Sequence, residues 1–131
     1  MTHHRHTIAA EAAPSAIGPY SHGVVSNGLL FCSGQIPLDP DSGELVEGGA
    51  AAQARRCLTS LAAVCDAAGT SLADAVRLTV YLTDLAADWA EVNEAYAEFF
   101  ESEPPARVAI GVAALPKGAR IEIDAVVALP D

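Results

Sequence analysis

Val76-Arg77-Leu78-Thr79-Val80-Tyr81-Leu82 alternates, with Val76, Leu78, Val80 and Leu82 on one side and Arg77, Thr79 and Tyr81 on the other, the period of a strand with one buried face. It lies between two helix signals. Upstream, over 50–68, Ala54, Leu58, Leu61, Cys65 and Ala68 recur at helical spacing opposite Gln53, Arg55 and Arg56, and Gly69 stands where a helix-ending glycine belongs. Downstream, Asp88-Trp89-Ala90-Glu91 has the residue types of a capping box. Behind it Trp89, Val92, Tyr96, Phe99 and Phe100 form the apolar stripe of a second helix, which must end before Pro104-Pro105.

Working outward, Val24-Val25-Ser26 and Leu29-Leu30-Phe31-Cys32-Ser33 flank Asn27-Gly28, the dipeptide suited to a two-residue hairpin turn. The second strand runs into Gly34-Gln35-Ile36-Pro37. Residues 106–112 and 120–129 read as the last two strands, separated by the turn Leu115-Pro116-Lys117-Gly118. Near the start, Thr7-Ile8-Ala9-Ala10 suits a short edge strand or an arm, and 17–23 an ordered loop. The expected order is β-β, helix, β, helix, β-β: an α+β domain over residues 1–131, with 1–6 as a flexible tail. Right-handed crossovers would put both helices on one face of a mixed sheet and leave the other face bare.

Composition bears on that bare face. Of 131 residues, 51% are apolar, 27 are alanine and ten more are glycine. That exceeds the roughly 45–50% that a soluble domain carries with glycine counted. Surplus apolar surface on a small domain is expected to meet other copies of the chain. The 17 acidic and seven basic residues leave a charge of −10, which opposes binding to a phosphate backbone. No apolar run is long enough to span a bilayer and no signal-type segment opens the chain, so the expectation is a cytoplasmic protein without a membrane partner. Cys32, Cys57 and Cys65 are odd in number and lack framework spacing, which suits reduced thiols. His3, His4, His6 and His22 form no metal-ligand pattern, and the glycines spell no nucleotide fingerprint.

Some residues could carry chemistry. Arg107 begins a strand whose next side chains on the same face are Ala109 and Gly111, leaving room beside a guanidinium that can grip a carboxylate bidentately. A structural ion pair would use the same residue. Glu122 and Asp124 share one face of an otherwise apolar strand. Buried together, one would hold its proton more tightly and suit proton transfer; left exposed, they would form a solvated acidic edge. Tyr20, in its loop, could wall a pocket or simply pack. Ser33-Gly34 could offer a hydroxyl and an unshielded backbone N–H to an anion, but no base stands near enough in sequence to make Ser33 a nucleophile.

Ala16-Ile17-Gly18-Pro19-Tyr20-Ser21, Cys32-Ser33-Gly34-Gln35-Ile36-Pro37, Ala52-Gln53-Ala54-Arg55, Pro105-Ala106-Arg107 and the run from Leu115-Pro116-Lys117-Gly118 to Ile121-Glu122-Ile123-Asp124-Ala125 together resemble the RidA/YjgF family over about residues 7–128. The resemblance implies a chorismate-mutase-like fold, with two helices on one face of a mixed sheet. It implies a homotrimer closing a barrel-like centre, with clefts between subunits. It also implies hydrolysis of 2-imino acids and their enamines to 2-oxo acids and ammonia, with no cofactor and no metal. By position, Arg107 would hold the substrate carboxylate and Glu122 would activate water. Tyr20, Ser33, Gly34 and Asn93 would line the cleft, and Ala109 stands where some members carry a cysteine.

A non-catalytic module binding 2-oxo acids or amino acids is an alternative use of the same cleft. A ribonuclease or translation inhibitor fits the −10 charge poorly, and a chorismate mutase would want more cations beside its dianionic substrate. The apolar surplus makes one prediction without reference to function: at micromolar concentration the chain should sediment as an oligomer. A monomer in analytical ultracentrifugation would contradict it.

Overall fold

Asn27 and Gly28 both take positive φ, 52° and 76°, closing a two-residue turn between β2 (Gly23–Ser26) and β3 (Leu29–Gln35) with Ser26 opposite Leu29. The structure, a computed structural model, describes residues 4–131. β1 (His6–Ile8) pairs antiparallel with β2 and makes the anticipated edge strand. The expected tail over 1–6 is therefore too long, because His6 is already in register with Val25; residues 1–3 lie outside the described residues.

The remaining strands, β4 (Ala75–Leu82), β5 (Ala106–Gly111) and β6 (Ile121–Ala128), complete a six-stranded sheet in the order β1-β2-β3-β6-β4-β5. Among the described residues only β4 and β5 are parallel neighbours; β6 lies antiparallel between β3 and β4. The fold is α+β, with α1 (Ala50–Ala67) in the crossover from β3 to β4 and α2 (Leu85–Ala97) in that from β4 to β5. Both helices pack on one face. There Leu30, Leu78, Val80, Leu82, Ile121, Ile123 and Val127 meet Leu58, Leu61, Val64, Val92 and Tyr96 in one buried cluster. Each fully buried Leu, Ile or Val contributes about 1.5–3 kcal/mol relative to exposure. The opposite face has no such cover, and Phe31, Val108 and Ile110 on it are each almost half exposed. None of the described helices is long and apolar enough to cross a membrane.

Three local readings are corrected. Val76 is exposed rather than buried with Leu78, because a register shift between Ala75 and Arg77 bulges β4 and turns it outward. Gln53 is buried rather than solvent-facing, since it falls three residues after Ala50 and four before Cys57, both on the core side of α1. The cap of α2 is also one turn earlier than Asp88-Glu91. Asp84 is the N-cap and accepts the Ala87 N–H at 3.2 Å, while α2 ends at Ala97, before Phe99 and Phe100.

Asp88 has a different task. It is buried inside α2 and accepts two hydrogen bonds from Arg120, from Nη2 at 2.8 Å and from Nε at 3.2 Å, tying the helix to the residue before β6. The pair is asymmetric, because the Arg120 side chain is 44% exposed and that of Asp88 only 6%. Arg120→Ala should therefore cost about 2–3 kcal/mol by stranding a buried carboxylate. Asp88→Ala should cost less, because the guanidinium can turn to water. Urea unfolding at one fixed protein concentration tests the order; equal losses would refute it.

Candidate functional site

On the bare face, the alternation of β6 sends Ile121, Ile123, Ala125 and Val127 into the core and Glu122 and Asp124 outward together, as their spacing requires. Glu122 stands opposite Tyr81 in the register, and Asp124 opposite Thr79. The Tyr81 hydroxyl donates to Asp124 Oδ2 at 2.9 Å, so Asp124 is already engaged. Among the described residues no group donates a hydrogen bond to the Glu122 carboxylate. Burial first and the neighbouring charge of Asp124 second push its pKa above the usual glutamate value. A half-buried, unbonded carboxyl of this kind can accept and return a proton.

β3 makes room for it. The register slips between Cys32 and Gln35, and a Cβ on Gly34 would come within 2.9 Å of Glu122 Cδ, so only glycine leaves the carboxylate its place. Ser33 differs from the anion-binding expectation. Its hydroxyl donates to the Ser21 carbonyl at 2.6 Å and its N–H to the His22 carbonyl at 3.0 Å, so both protons anchor the loop instead of facing a ligand. His22 strengthens that anchorage: Nδ1 accepts the Ala10 N–H at 2.9 Å, which fixes the tautomer whose Nε2–H donates to the Pro14 carbonyl at 2.8 Å. The anchored loop carries Tyr20, whose hydroxyl accepts the Ile17 N–H at 3.3 Å. Tyr20, Ser33, Gly34 and Glu122 thus line one cleft of about 310 Å³, with Ile17, Ile36 and Pro116 as its apolar walls.

Arg107 lies elsewhere. Its register partner is Leu78, a core-facing residue, so it projects from the helix side of the exposed edge strand β5. The space beside it, expected from Ala109 and Gly111, is partly taken by α2. The guanidinium carbon sits 4.7 Å from the Trp89 ring centroid and 4.8 Å from that of Tyr96, and Nη1 donates to Asn93 Oδ1 at 2.9 Å. The alternative of a structural ion pair is not realised: the ion pairs among the described residues are Arg55–Glu98 and Arg120–Asp88. Asn93 and Arg107 line a second cleft of about 340 Å³ with Phe100, Pro104 and Pro105. Ala109 follows two residues along β5, opposite Val80 and hence on the same face as Arg107.

The chain therefore unites the candidates in two groups, on opposite faces of one sheet. Neither group holds a cation and an acid together. Sequence reasoning overlooked Trp89 and Tyr96 as neighbours of Arg107, although with Asn93 they stand at i, i+4 and i+7 on one helix face. Burial pushes the Cys57 thiol well above its usual range, and none of the three buried, free cysteines lines either cleft. Among the described residues no group of three or more His, Cys, Asp or Glu is arranged to hold a metal ion.

Comparison with known proteins adds the lineage. The family model described as Endoribonuclease L-PSP matches residues 10–129. RutC family protein y4sK of Sinorhizobium fredii is 48% identical over 122 residues, covering 93% of this chain and 96% of that one. The human 2-iminobutanoate/2-iminopropanoate deaminase is also 48% identical over 122 residues, covering 93% and 88%. The crystal structure of RidA from an Antarctic Psychrobacter superposes with a TM-score of 0.89 at 44% identity, covering 95% and 99%.

The electrostatics of the first cleft can be tested directly. In a pH titration followed by carboxyl NMR, Glu122 should titrate above an ordinary glutamate, and Asp124→Asn should lower its midpoint while keeping an acceptor for Tyr81. A Glu122 midpoint that ignores the substitution would remove Asp124 from the argument.

Proposed function

The chain belongs to the Endoribonuclease L-PSP family, the RidA/YjgF proteins, and from that premise we propose that it hydrolyses 2-imino acids to 2-oxo acids and ammonia between two of its copies. The observation that carries this reading is the division of the site. One cleft has a proton acceptor without a cation, and the other a cation without an acid. The exposed edge strand β5 of one copy, laid against the bare face of the next, would bring Arg107 of one subunit to Glu122 of another. It would also cover Phe31, Val108 and Ile110. Three copies arranged in this way would close a ring, the homotrimer that the family resemblance implies.

In the joined cleft, Arg107 pairs with the substrate carboxylate and restricts the imine carbon to one position. Glu122 takes a proton from water as the oxygen bonds to that carbon, and the C=N electron pair moves to nitrogen, which receives the proton. The resulting carbinolamine collapses: its hydroxyl proton passes through Glu122 to nitrogen, C=O forms, and ammonia leaves. Imine and water become ketone and ammonia, Glu122 ends as it began, and no redox partner or cofactor enters the balance. Acid–base assistance of this kind is typically worth about 10²–10⁴-fold. Tyr20 with Ile17 would shelter the reaction, while Gly34 keeps the glutamate's path clear.

The family description also names an endoribonuclease. A net charge of −10 weighs against it, as do seven scattered cations of which Arg55 and Arg120 are already paired.

A coupled assay that generates 2-iminopropanoate tests the proposal. The wild-type chain should remove the imine with saturation. Arg107→Ala should abolish saturation without dissolving the oligomer, and Glu122→Gln should lower the rate by about 10²–10⁴-fold while 2-oxobutanoate still binds. Because the base works only when ionised, wild-type turnover should fall as pH drops through a midpoint above the ordinary carboxylate range. Unaltered turnover in Arg107→Ala would overturn the assignment. Binding of 2-oxobutanoate by a wild-type chain with no turnover would favour a sensing module instead.

A further inference from the structure

A lone arginine on an exposed edge strand is normally a mobile side chain. Arg107 is held on three sides by one helix. Trp89, Asn93 and Tyr96 sit at i, i+4 and i+7 of α2, two turns on a single face, and all three touch the same guanidinium. We propose that Trp89 and Tyr96 are positioning residues which, together with Asn93, fix Arg107 as an orientated but un-neutralised receptor for a carboxylate. The inference deepens the imine-hydrolase reading and rests on it for the identity of that carboxylate.

The chemistry of the three partners supports the proposal. A glutamate or aspartate beside Arg107 would also have fixed it, but the pair would be neutral and an incoming carboxylate would have to displace the acid. That solution is used where the arginine is structural, as in the bidentate Arg120–Asp88 pair. Aromatic faces attract a cation through their quadrupole, and an amide oxygen accepts through a dipole; neither brings a formal charge. Arg107 therefore keeps its full charge. Asn93 engages only Nη1, so donors on the rest of the fork are left for a ligand.

Economy of aromatic residues points the same way. The chain has one Trp, three Tyr and three Phe, and its only Trp and one of its Tyr face this single guanidinium. The Tyr96 ring also packs on Phe100 at 4.8 Å, and its buried hydroxyl has no hydrogen-bond partner among the described residues. Trp is the strongest cation–π partner among the side chains, and Tyr keeps the ring electron-rich.

The test has two arms on the intact chain. In the first, the Arg107 Nε–H resonance should be displaced by ring currents in the wild-type protein and should move toward that of exposed Arg77 in Trp89→Leu. In the second, isothermal titration with 2-oxobutanoate and turnover of 2-iminobutanoate are compared across variants. Trp89→Leu and Tyr96→Leu should each weaken binding and raise KM about five-fold, the loss expected of one cation–π contact. The value of kcat should be unchanged, because the grip on the carboxylate is equal in ground and transition states. Trp89→Phe should restore most of the affinity; unchanged sedimentation, with every variant assayed well below its own melting temperature, separates the effect from unfolding, since Tyr96→Leu also removes a buried ring and should melt earlier.

An averaged Arg107 signal in the wild-type protein, resembling that of Arg77, would overturn the clamp. So would unchanged affinity in both leucine variants while Arg107→Ala loses binding. Absence of 2-oxobutanoate binding by the wild-type chain would defeat the proposed reaction instead, and the resonance arm would still decide whether the clamp exists.

Discussion

β6 is hydrogen-bonded along both edges, to β3 on one side and β4 on the other, and its side chains alternate between core and bare face without interruption. Slipping it by one residue would drive Glu122 and Asp124 under the helices and turn Ile121 and Ile123 outward. The register is therefore set by burial of four apolar residues, and the position of the candidate base is a by-product of that burial. Everything on the bare face inherits the constraint: the row Tyr81–Glu122, the row Thr79–Asp124, and the gap at Gly34 through which the glutamate reaches its cleft.

The two charged residues of greatest interest are treated in opposite ways. Glu122 is half-buried and close to another acid, and burial first and that charge second favour its protonated form; among the described residues it has no hydrogen-bond donor. Arg107 is given a carbonyl oxygen and two aromatic rings but, among the described residues, no counter-ion. Each arrangement leaves an electrostatic need unmet inside one chain. Arg120 and Asp88, by contrast, neutralise each other through two hydrogen bonds.

Much of the architecture was legible because it rests on local patterns. Asn27-Gly28 specified a hairpin turn, the 50–68 periodicity a helix, and Val76–Leu82 a strand, and all three exist. The errors arose where a long-range partner overrode a local signal. Asp88 looked like a cap because its spacing to Glu91 is right, but Arg120, 32 residues away, claims its carboxylate, while Asp84 caps the helix. Val76 had the parity of a core residue, and a bulge against β6 undid it. Ser33 looked like a free donor until the Ser21 and His22 carbonyls were folded over it.

The amino-acid order by itself determined the elements, the pairing of Glu122 with Asp124 on one strand face, and the family, since alternation, turn chemistry and contiguous motifs are properties of neighbouring residues. It could not determine that β6 inserts between β3 and β4, because strand order depends on which apolar faces find one another after the chain has turned back. Nor could it decide that Arg107 and Glu122 leave opposite faces of the sheet, or that Trp89 and Tyr96 close on the guanidinium. Those facts belong to the tertiary structure, because they depend on how a helix crosses a sheet edge, and spacing along the chain carries no record of that geometry.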